Sequence, residues 1–353
     1  MVVDLSHTDL ALTVPAVSDG RFYVFPFYDV YGNNFANIGS VTNTAPGTYL
    51  LRLGGQDRGP PGLHLLSDVA SAEARPGYAG IVNFPTTYGS VIIRILLRNN
   101  STDVAAVQHL RSQIQVTPVA RADAESQAPA LSLEGLNGSL SGSPEERALQ
   151  RTARLYPYNL PEPGNELGNV SAILDLAGLQ NGSYTQPPGV NLTAANDDAR
   201  RRMAETFSDP ANRQDLGNNW TQPLPSLSGN YGPNYFARAN VARTGYLELV
   251  ASQALYPAYV GESETATLVV KAGEAIILTF SAKPPVTAFW SLTAYGANQF
   301  LIPNPMNIYS LGDRSNLTFA DGFLVYGNAT SDGPFQILIQ PANTTPPQNW
   351  TRK

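Results

Sequence analysis

From residue 266 onward the sequence is cut into short strand-like runs. Thr267–Val270, Ala275–Phe280, Phe289–Tyr295, Phe323–Tyr326 and Phe335–Ile339 are rich in β-branched and aromatic residues. Gly273, Pro284-Pro285, Gly312-Asp313, Asp321-Gly322 and Asp332-Gly333 separate them. Strands at this spacing, closed by glycine and aspartate turns, predict a sandwich or barrel rather than βαβ units. Residues 1–98 read the same way. Arg21–Phe27, Tyr49–Leu53 and Ser90–Leu97 are further strands, and Arg58-Gly59-Pro60-Pro61-Gly62 is a turn-rich loop. Pro26 assigns the far end of its strand to an edge or a bulge, because proline cannot donate to a ladder.

Four helices are expected between the two β regions. The first runs from Thr102 to Ile114, with Val104, Val107, Leu110 and Ile114 on one stripe. The second begins at Ser143-Pro144-Glu145-Glu146, where Ser143 is the N-cap, Pro144 fits the first helical position and Glu146 completes a capping box. The third starts at Asn196-Asp197-Asp198, acids that the helix dipole favours, and carries Met203 and Phe207 inward. The fourth covers Tyr235–Leu255. The fold class is therefore mainly β with helical insertions. An N-terminal β lobe (1–125) and a C-terminal β lobe (256–353) are joined by a helical, loop-rich segment (126–255).

The chain has 353 residues, 42% of them hydrophobic and 14% charged, with a net charge of −6. That composition argues against intrinsic disorder. The apolar runs fall far short of the roughly 18–20 residues that span a bilayer. Arg200-Arg201-Arg202 is the densest basic run and follows Asp197-Asp198, so it reads as a solvated helix face and no nucleic-acid partner is expected. With no cysteine there are no thiolate ligands, disulfides or cysteine nucleophiles. No metal and no cofactor are expected, and the sequence sets no oligomeric state.

Asn-x-Ser/Thr sequons are abundant. The sequence holds 27 Asn and 50 Ser plus Thr, for which a random arrangement gives about four. There are eleven: Asn99, Asn100, Asn137, Asn169, Asn181, Asn191, Asn219, Asn316, Asn328, Asn343 and Asn349. Glycosylation at these positions requires passage through the secretory lumen, so an extracellular location is expected. Met1-Val2-Val3-Asp4 has neither the basic nor the apolar region of a signal peptide. Such a leader would precede the residues given.

Two stretches carry a family resemblance. The first is Arg21-Phe22-Tyr23 followed by Phe27-Tyr28-Asp29-Val30-Tyr31-Gly32-Asn33-Asn34-Phe35-Ala36-Asn37-Ile38-Gly39-Ser40. The second runs from Phe289-Trp290-Ser291-Leu292-Thr293-Ala294-Tyr295 through Asn304, Tyr309-Ser310 and Asp321-Gly322 to Asn349-Trp350. Together they resemble the tandem domains of unknown function 1254 and 1214, over about 1–120 and 230–350. The resemblance implies two jelly-roll-like β sandwich or barrel lobes joined by helices, and no settled activity. Ile308 stands where the family usually has Arg. The family pattern also implies an Asn-Asp-Thr-Leu-Tyr segment before Asp4 and a closing strand after Trp350, so a chain truncated at both ends is expected.

Chemistry-bearing motifs are sparse. There is no G-x-S-x-G elbow, and Gly54-Gly55-Gln56-Asp57-Arg58-Gly59 lacks the Gly-Lys-Ser/Thr of a phosphate loop. His7, His64 and His109 are read as frayed, strand and helix residues. Asp29 is the acid of most interest, since Tyr23, Tyr28 and Tyr31 surround it and burial among rings raises a carboxyl pKa. Flat rings beside amides suit sugars and other small polar molecules. Tyr23, Tyr28, Asp29, Tyr31 and Asn34 form one candidate binding group, and Trp290, Tyr295, Asn304 and Tyr309 another. The expected function is binding of a small polar or carbohydrate-like ligand. The alternatives are a cofactor-free hydrolase with Asp29 as acid or base, and a structural cell-surface or wall protein.

Overall fold

A computed structural model describes residues 1–55, 58–66, 77–98, 102–121, 128–160, 166–259, 270, 273–296, 298, 300–304, 306–327, 332–348 and 350. The chain is mainly β, with several sheets and a smaller helical share. It divides into two units, Met1–Ile95 with His109–Tyr259 and Leu96–Gln108 with Val260–Lys353.

The two large sheets of the first unit are built from ten of its strands: β1 (Val2–Asp4), β2 (Asp9–Val14), β3 (Tyr23–Asp29), β4 (Asn34–Gly39), β5 (Gly47–Leu53), β6 (Gly62–Leu65), β7 (Gly80–Phe84), β8 (Tyr88–Val91), β9 (Arg94–Ile95) and β10 (Gln115–Val119). One sheet has the order β1-β8-β3-β4, with β9 beside the start of β3. The other has the order β10-β2-β5-β7-β6. All pairings are antiparallel except β5 with β7. Both sheets contribute to one core, in which Phe25, Phe27, Ile38 and Val91 from the first meet Leu12, Tyr49, Leu51 and Phe84 from the second. Neither sheet closes into a barrel among the described residues.

Period-two alternation explains why β3 is buried along its whole length. Tyr23, Phe25 and Phe27 point into the shared core, whereas Tyr28 points the other way and donates its hydroxyl to the Leu247 carbonyl at 2.8 Å. Pro26 does not end this strand. Beyond β4, the other side of β3 is shared by β9 at Tyr23 and Val24 and by β8 from Phe27 to Asp29. Pro26 falls in the gap, where no N–H is needed. The expected irregularity lies one residue on, as a register shift between Phe27 and Tyr28. Gly89 of β8 is fixed by close approach, since a Cβ there would meet the Tyr28 carbonyl at 2.5 Å and the Phe84 ring at 2.8 Å.

β10 closes the second sheet from a distance in sequence, pairing Gln115 with Thr13 through Val119 with Asp9. Beyond its end, Arg121 binds buried Asp9 at 2.8 Å and donates to the carbonyls of Leu5 and Thr8.

The helices are α1 (Val104–Ser112), α2 (Leu133–Asn137), α3 (Pro144–Leu155), α4 (Glu166–Leu176), α5 (Leu192–Ser208) and α6 (Tyr235–Thr244). α1 stops before Ile114 because β10 starts at Gln115. α3 has the expected capping box, with Ser143 Oγ accepting from Glu146 N and Glu146 accepting from Ser143 N. α5 starts before the acids, because the Asn191 side chain caps it by accepting from Ala194 N. α6 is shorter than the expected Tyr235–Leu255, and Gly245 follows it. α2 and α4 were not anticipated.

In the second unit Ile276–Phe280 pairs with Phe335–Ile339, and Ser291–Leu292 pairs with Leu311–Gly312. Its core gathers Leu317, Val325, Phe335 and Ile337, with Phe280 stacked on Phe335 at 4.7 Å. The expected strand Phe289–Tyr295 is reduced to Ser291–Leu292, because Trp290 N donates to the Asp313 side chain and its indole N–H to Tyr326 Oη. Phe323–Tyr326 contributes only a bridge from Leu324 to Thr318. Residues 267–269 of the expected Thr267–Val270 strand lie outside the described residues.

Phe84 meets Phe27 and Phe35 edge-on, at 6.0 and 4.9 Å between centroids. Replacing it with alanine should cost about 3–5 kcal/mol, read as a lower urea midpoint at unchanged slope. A loss under 1 kcal/mol, on the scale of about 1.5–3 for burying such a side chain, would show that the sheets do not share this core.

Candidate binding cavity

The hairpin turn between β3 and β4 is organised by Asp29. Its Oδ1 accepts from the backbone N–H of Tyr31 at 2.9 Å and of Asn33 at 2.8 Å, and its Oδ2 accepts from Asn33 Nδ2 at 2.7 Å. The same turn is tied to a distant stretch of the first unit. Asn33 Oδ1 accepts from Tyr231 N, Asn34 N donates to the Gly229 carbonyl, and Asn34 Oδ1 accepts from Val250 N. Residues 229–250 therefore cover the open face of β3 and bring α6 beside the turn.

α6 starts at Asn234, whose side chain accepts from Ala237 N. Tyr235 and Arg238 are three residues apart on this helix and so share a face. The Arg238 guanidinium carbon lies 5.2 Å from the Tyr235 ring centroid and 5.1 Å from that of Tyr31. Such cation–ring contacts hold the guanidinium close to both rings. Its Nη2 donates to the Gly232 carbonyl at 2.8 Å, while its Nε is buried and has no hydrogen-bond partner.

Asp29, Tyr31, Asn33, Thr86, Tyr235 and Arg238 line one cavity of about 230 Å³. Burial pushes the Asp29 carboxyl up, and its bonds to Asn33 and the Arg238 charge act against that rise. Among the described residues no ion pair joins Asp29 to Arg238, although both face this space. Burial also raises the Tyr31 phenol, which donates to the Asn159 carbonyl. A second, more apolar cavity of about 370 Å³ also includes Asp29 in its lining, with residues such as Val2, Ser90, Leu131, Leu155 and Tyr246. Asp29 is the one carboxylate among the described residues lining either space.

The sequence-expected residues separate into distinct roles. Asp29 and Tyr31 line the smaller cavity. Tyr23 packs in the core of the two sheets. Tyr28 is fully buried and spends its hydroxyl on Leu247. Asn34 is buried and bonded to the Phe27 and Ala36 carbonyls and to Asn37. In the second unit Trp290 packs into the core. Asn304 closes a turn by accepting from Met306 N and Ile308 N. Tyr295 and Tyr309 are exposed, and neither cavity includes residues of that unit. His64 is a strand residue bonded to Pro60, and His109 a helix residue beside Gln113. Sequence reasoning missed Arg238, Tyr235 and Thr86. The available signal was the aromatic–cation spacing of Tyr235 and Arg238 in the first turns of a helix.

Glu248 supports the covering segment. Its Oε2 accepts from the Tyr231 hydroxyl at 2.9 Å and from Gly229 N at 3.1 Å, and burial raises its carboxyl above the ordinary range. A carboxyl raised on folding stabilises fully below its ordinary pKa, and that contribution is lost as pH rises through the raised value. Glu248→Gln keeps an acceptor for both bonds and removes the charge. The variant should therefore gain stability relative to the native protein as pH rises from about 4 to 8, read from urea midpoints. A difference that does not change with pH would mean that Glu248 titrates as it does in the unfolded chain.

The comparisons with known proteins fit this layout. The family model described as "Protein of unknown function (DUF1254)" matches residues 1–118, and that described as "Protein of unknown function (DUF1214)" matches residues 253–352. No curated protein matches. Among solved structures the chain is similar to the VPA0106 protein from Vibrio parahaemolyticus, with a TM-score of 0.53 and 14% identity over 96% of this chain and 75% of that one. At that identity the likeness concerns the fold alone. With both segments matched in order, the chain belongs to the tandem DUF1254–DUF1214 proteins.

Proposed function

We propose that the protein binds a small polar, carbohydrate-like ligand in the cavity between the Asp29 turn and α6. One observation carries this reading: the Arg238 guanidinium, beside the Tyr31 and Tyr235 rings, and the buried Asp29 carboxylate line the same cavity with no ion pair between them among the described residues. A cavity of about 230 Å³ with rings, a carboxylate, an amide and a guanidinium around it supplies an apolar face and a hydrogen-bonding rim for a molecule of about one sugar ring. Asp29 acts here as an acceptor fixed by its own turn. Hydrolysis of a glycoside by two carboxyl groups would need a second acid about 5–10 Å away, and neither cavity presents one among the described residues.

We also read the protein as secreted and N-glycosylated. Asn137, Asn169, Asn181, Asn191, Asn219, Asn316 and Asn343 are all exposed, which supports this reading; Asn99, Asn100, Asn328 and Asn349 lie outside the described residues. The two five-stranded sheets with one shared core support the jelly-roll-like arrangement for the first unit.

A thermal-shift screen against neutral sugars, polyols and small acids should find a stabilising ligand. At about 100 times its dissociation constant it adds ~2.7 kcal/mol. Tyr235→Ala should weaken that ligand tenfold or more, and equal stabilisation of native and variant protein would place the ligand elsewhere. Protein taken from its native source should lose mass on treatment with a peptide N-glycosidase. An unchanged mass would remove both the glycans and the main reason for placing the protein outside the cell.

A further inference from the structure

The bonding capacity left over on the two charged walls narrows the ligand class, and this step rests on the binding reading above. The Arg238 guanidinium carbon lies 5.1 Å from the Tyr31 and 5.2 Å from the Tyr235 ring centroid, and its Nη2 is engaged by the Gly232 carbonyl. The side chain lines the cavity and makes no ion pair with an acid among the described residues. A guanidinium edge matches a carboxylate in its own plane through paired N–H donors, a fit that a single hydroxyl or a carbonyl does not reproduce. The cavity also lies beside the start of α6, where Gly232, Pro233 and Tyr235 line it, and the positive end of a helix favours an anion.

The opposite wall asks for something else. Asp29 Oδ1 already accepts two N–H bonds, but Oδ2 accepts only one, from Asn33 Nδ2. An ionised carboxylate offers about four acceptor sites, so Oδ2 has room for a further donor. A second carboxylate placed against Asp29 would be repelled, whereas a hydroxyl would donate to it. The two walls therefore read opposite ends of one molecule, an acceptor pair facing Arg238 and an O–H facing Asp29. We propose that the ligand is a small hydroxycarboxylic acid of sugar-acid size, with its carboxylate on the Arg238 guanidinium and a hydroxyl donated to Asp29. A neutral sugar satisfies the Asp29 side and leaves the Arg238 edge without its fork partner.

The test uses the full chain and matched probes, with binding read by calorimetry and thermal shift. D-glucuronate, D-galacturonate, D-gluconate and L-malate are compared with D-glucose, D-galactose, D-sorbitol and the methyl ester of D-glucuronate. At least one acid should bind tenfold or more tightly than its neutral counterpart. Arg238→Gln should abolish that preference, and Arg238→Lys should restore only part of it, since an ammonium keeps the charge but not the fork. Circular dichroism and the unliganded melting temperature show whether each variant folds, and the comparison of acids with neutral probes on the native protein decides the matter even if one does not. If a neutral sugar or polyol binds as tightly as its acid, and still does so in Arg238→Gln, the acid assignment is overturned while the polar-ligand reading stands. If no acid and no neutral probe binds, both fall. If an acid binds equally well to native and Arg238→Gln protein, the carboxylate is read by some other group and the assignment is overturned.

Discussion

The arrangement of the first unit depends on one buried carboxylate. Asp29 ends β3, and by accepting from Tyr31 N, Asn33 N and Asn33 Nδ2 it fixes the path of the chain into β4. That path presents Asn33 and Asn34 outward as a row of donors and acceptors for residues 229, 231 and 250. Without the turn, the covering segment has no matched edge to bind. β3 would then expose a face that includes Tyr28, which is completely shielded from solvent. Desolvating a carboxylate is costly, and three N–H donors offset much of that cost while Arg238 supplies favourable charge at longer range. A group held this way does structural work and still lines the cavity.

Charge is managed differently at the other buried acids. Asp9 is neutralised directly by Arg121, and that pair locks the edge of a sheet. Glu248 has no ion pair among the described residues and relies on a phenol and an amide. Asp29 stands between these cases, near a cation but not bonded to it. Direct pairing would have closed the space; separation leaves a cavity with a positive wall and a negative wall.

Much of this was legible in the sequence, for reasons particular to the residues. The β character of both ends followed from short aromatic and β-branched runs between glycine and proline turns. The start of α3 followed from Ser143, Pro144 and Glu146, because a capping box is a purely local signal. Asp29 was legible as a buried acid because tyrosines flank it on both sides. Its partners were not. Arg238 lies more than two hundred residues away, and only the fold brings its helix to the turn. The continuation of β3 through Pro26 was hidden for a similar reason: whether a missing N–H matters depends on which strand lies opposite, and here the opposite position falls between two short partners. In the second unit Trp290 and Asn304 looked like ligand-binding residues, but one is a core aromatic and the other a turn-former. Composition alone does not separate those roles.

The register of β10 on β2 has a consequence for biosynthesis. Asp9 and Val119 are direct partners, so one side of β2 waits while more than a hundred further residues are made. At a translation rate of about 5–20 residues per second, that wait is roughly 5–20 seconds. During it the nascent chain carries an unsatisfied strand edge next to apolar side chains, the kind of edge that invites pairing with a neighbouring chain.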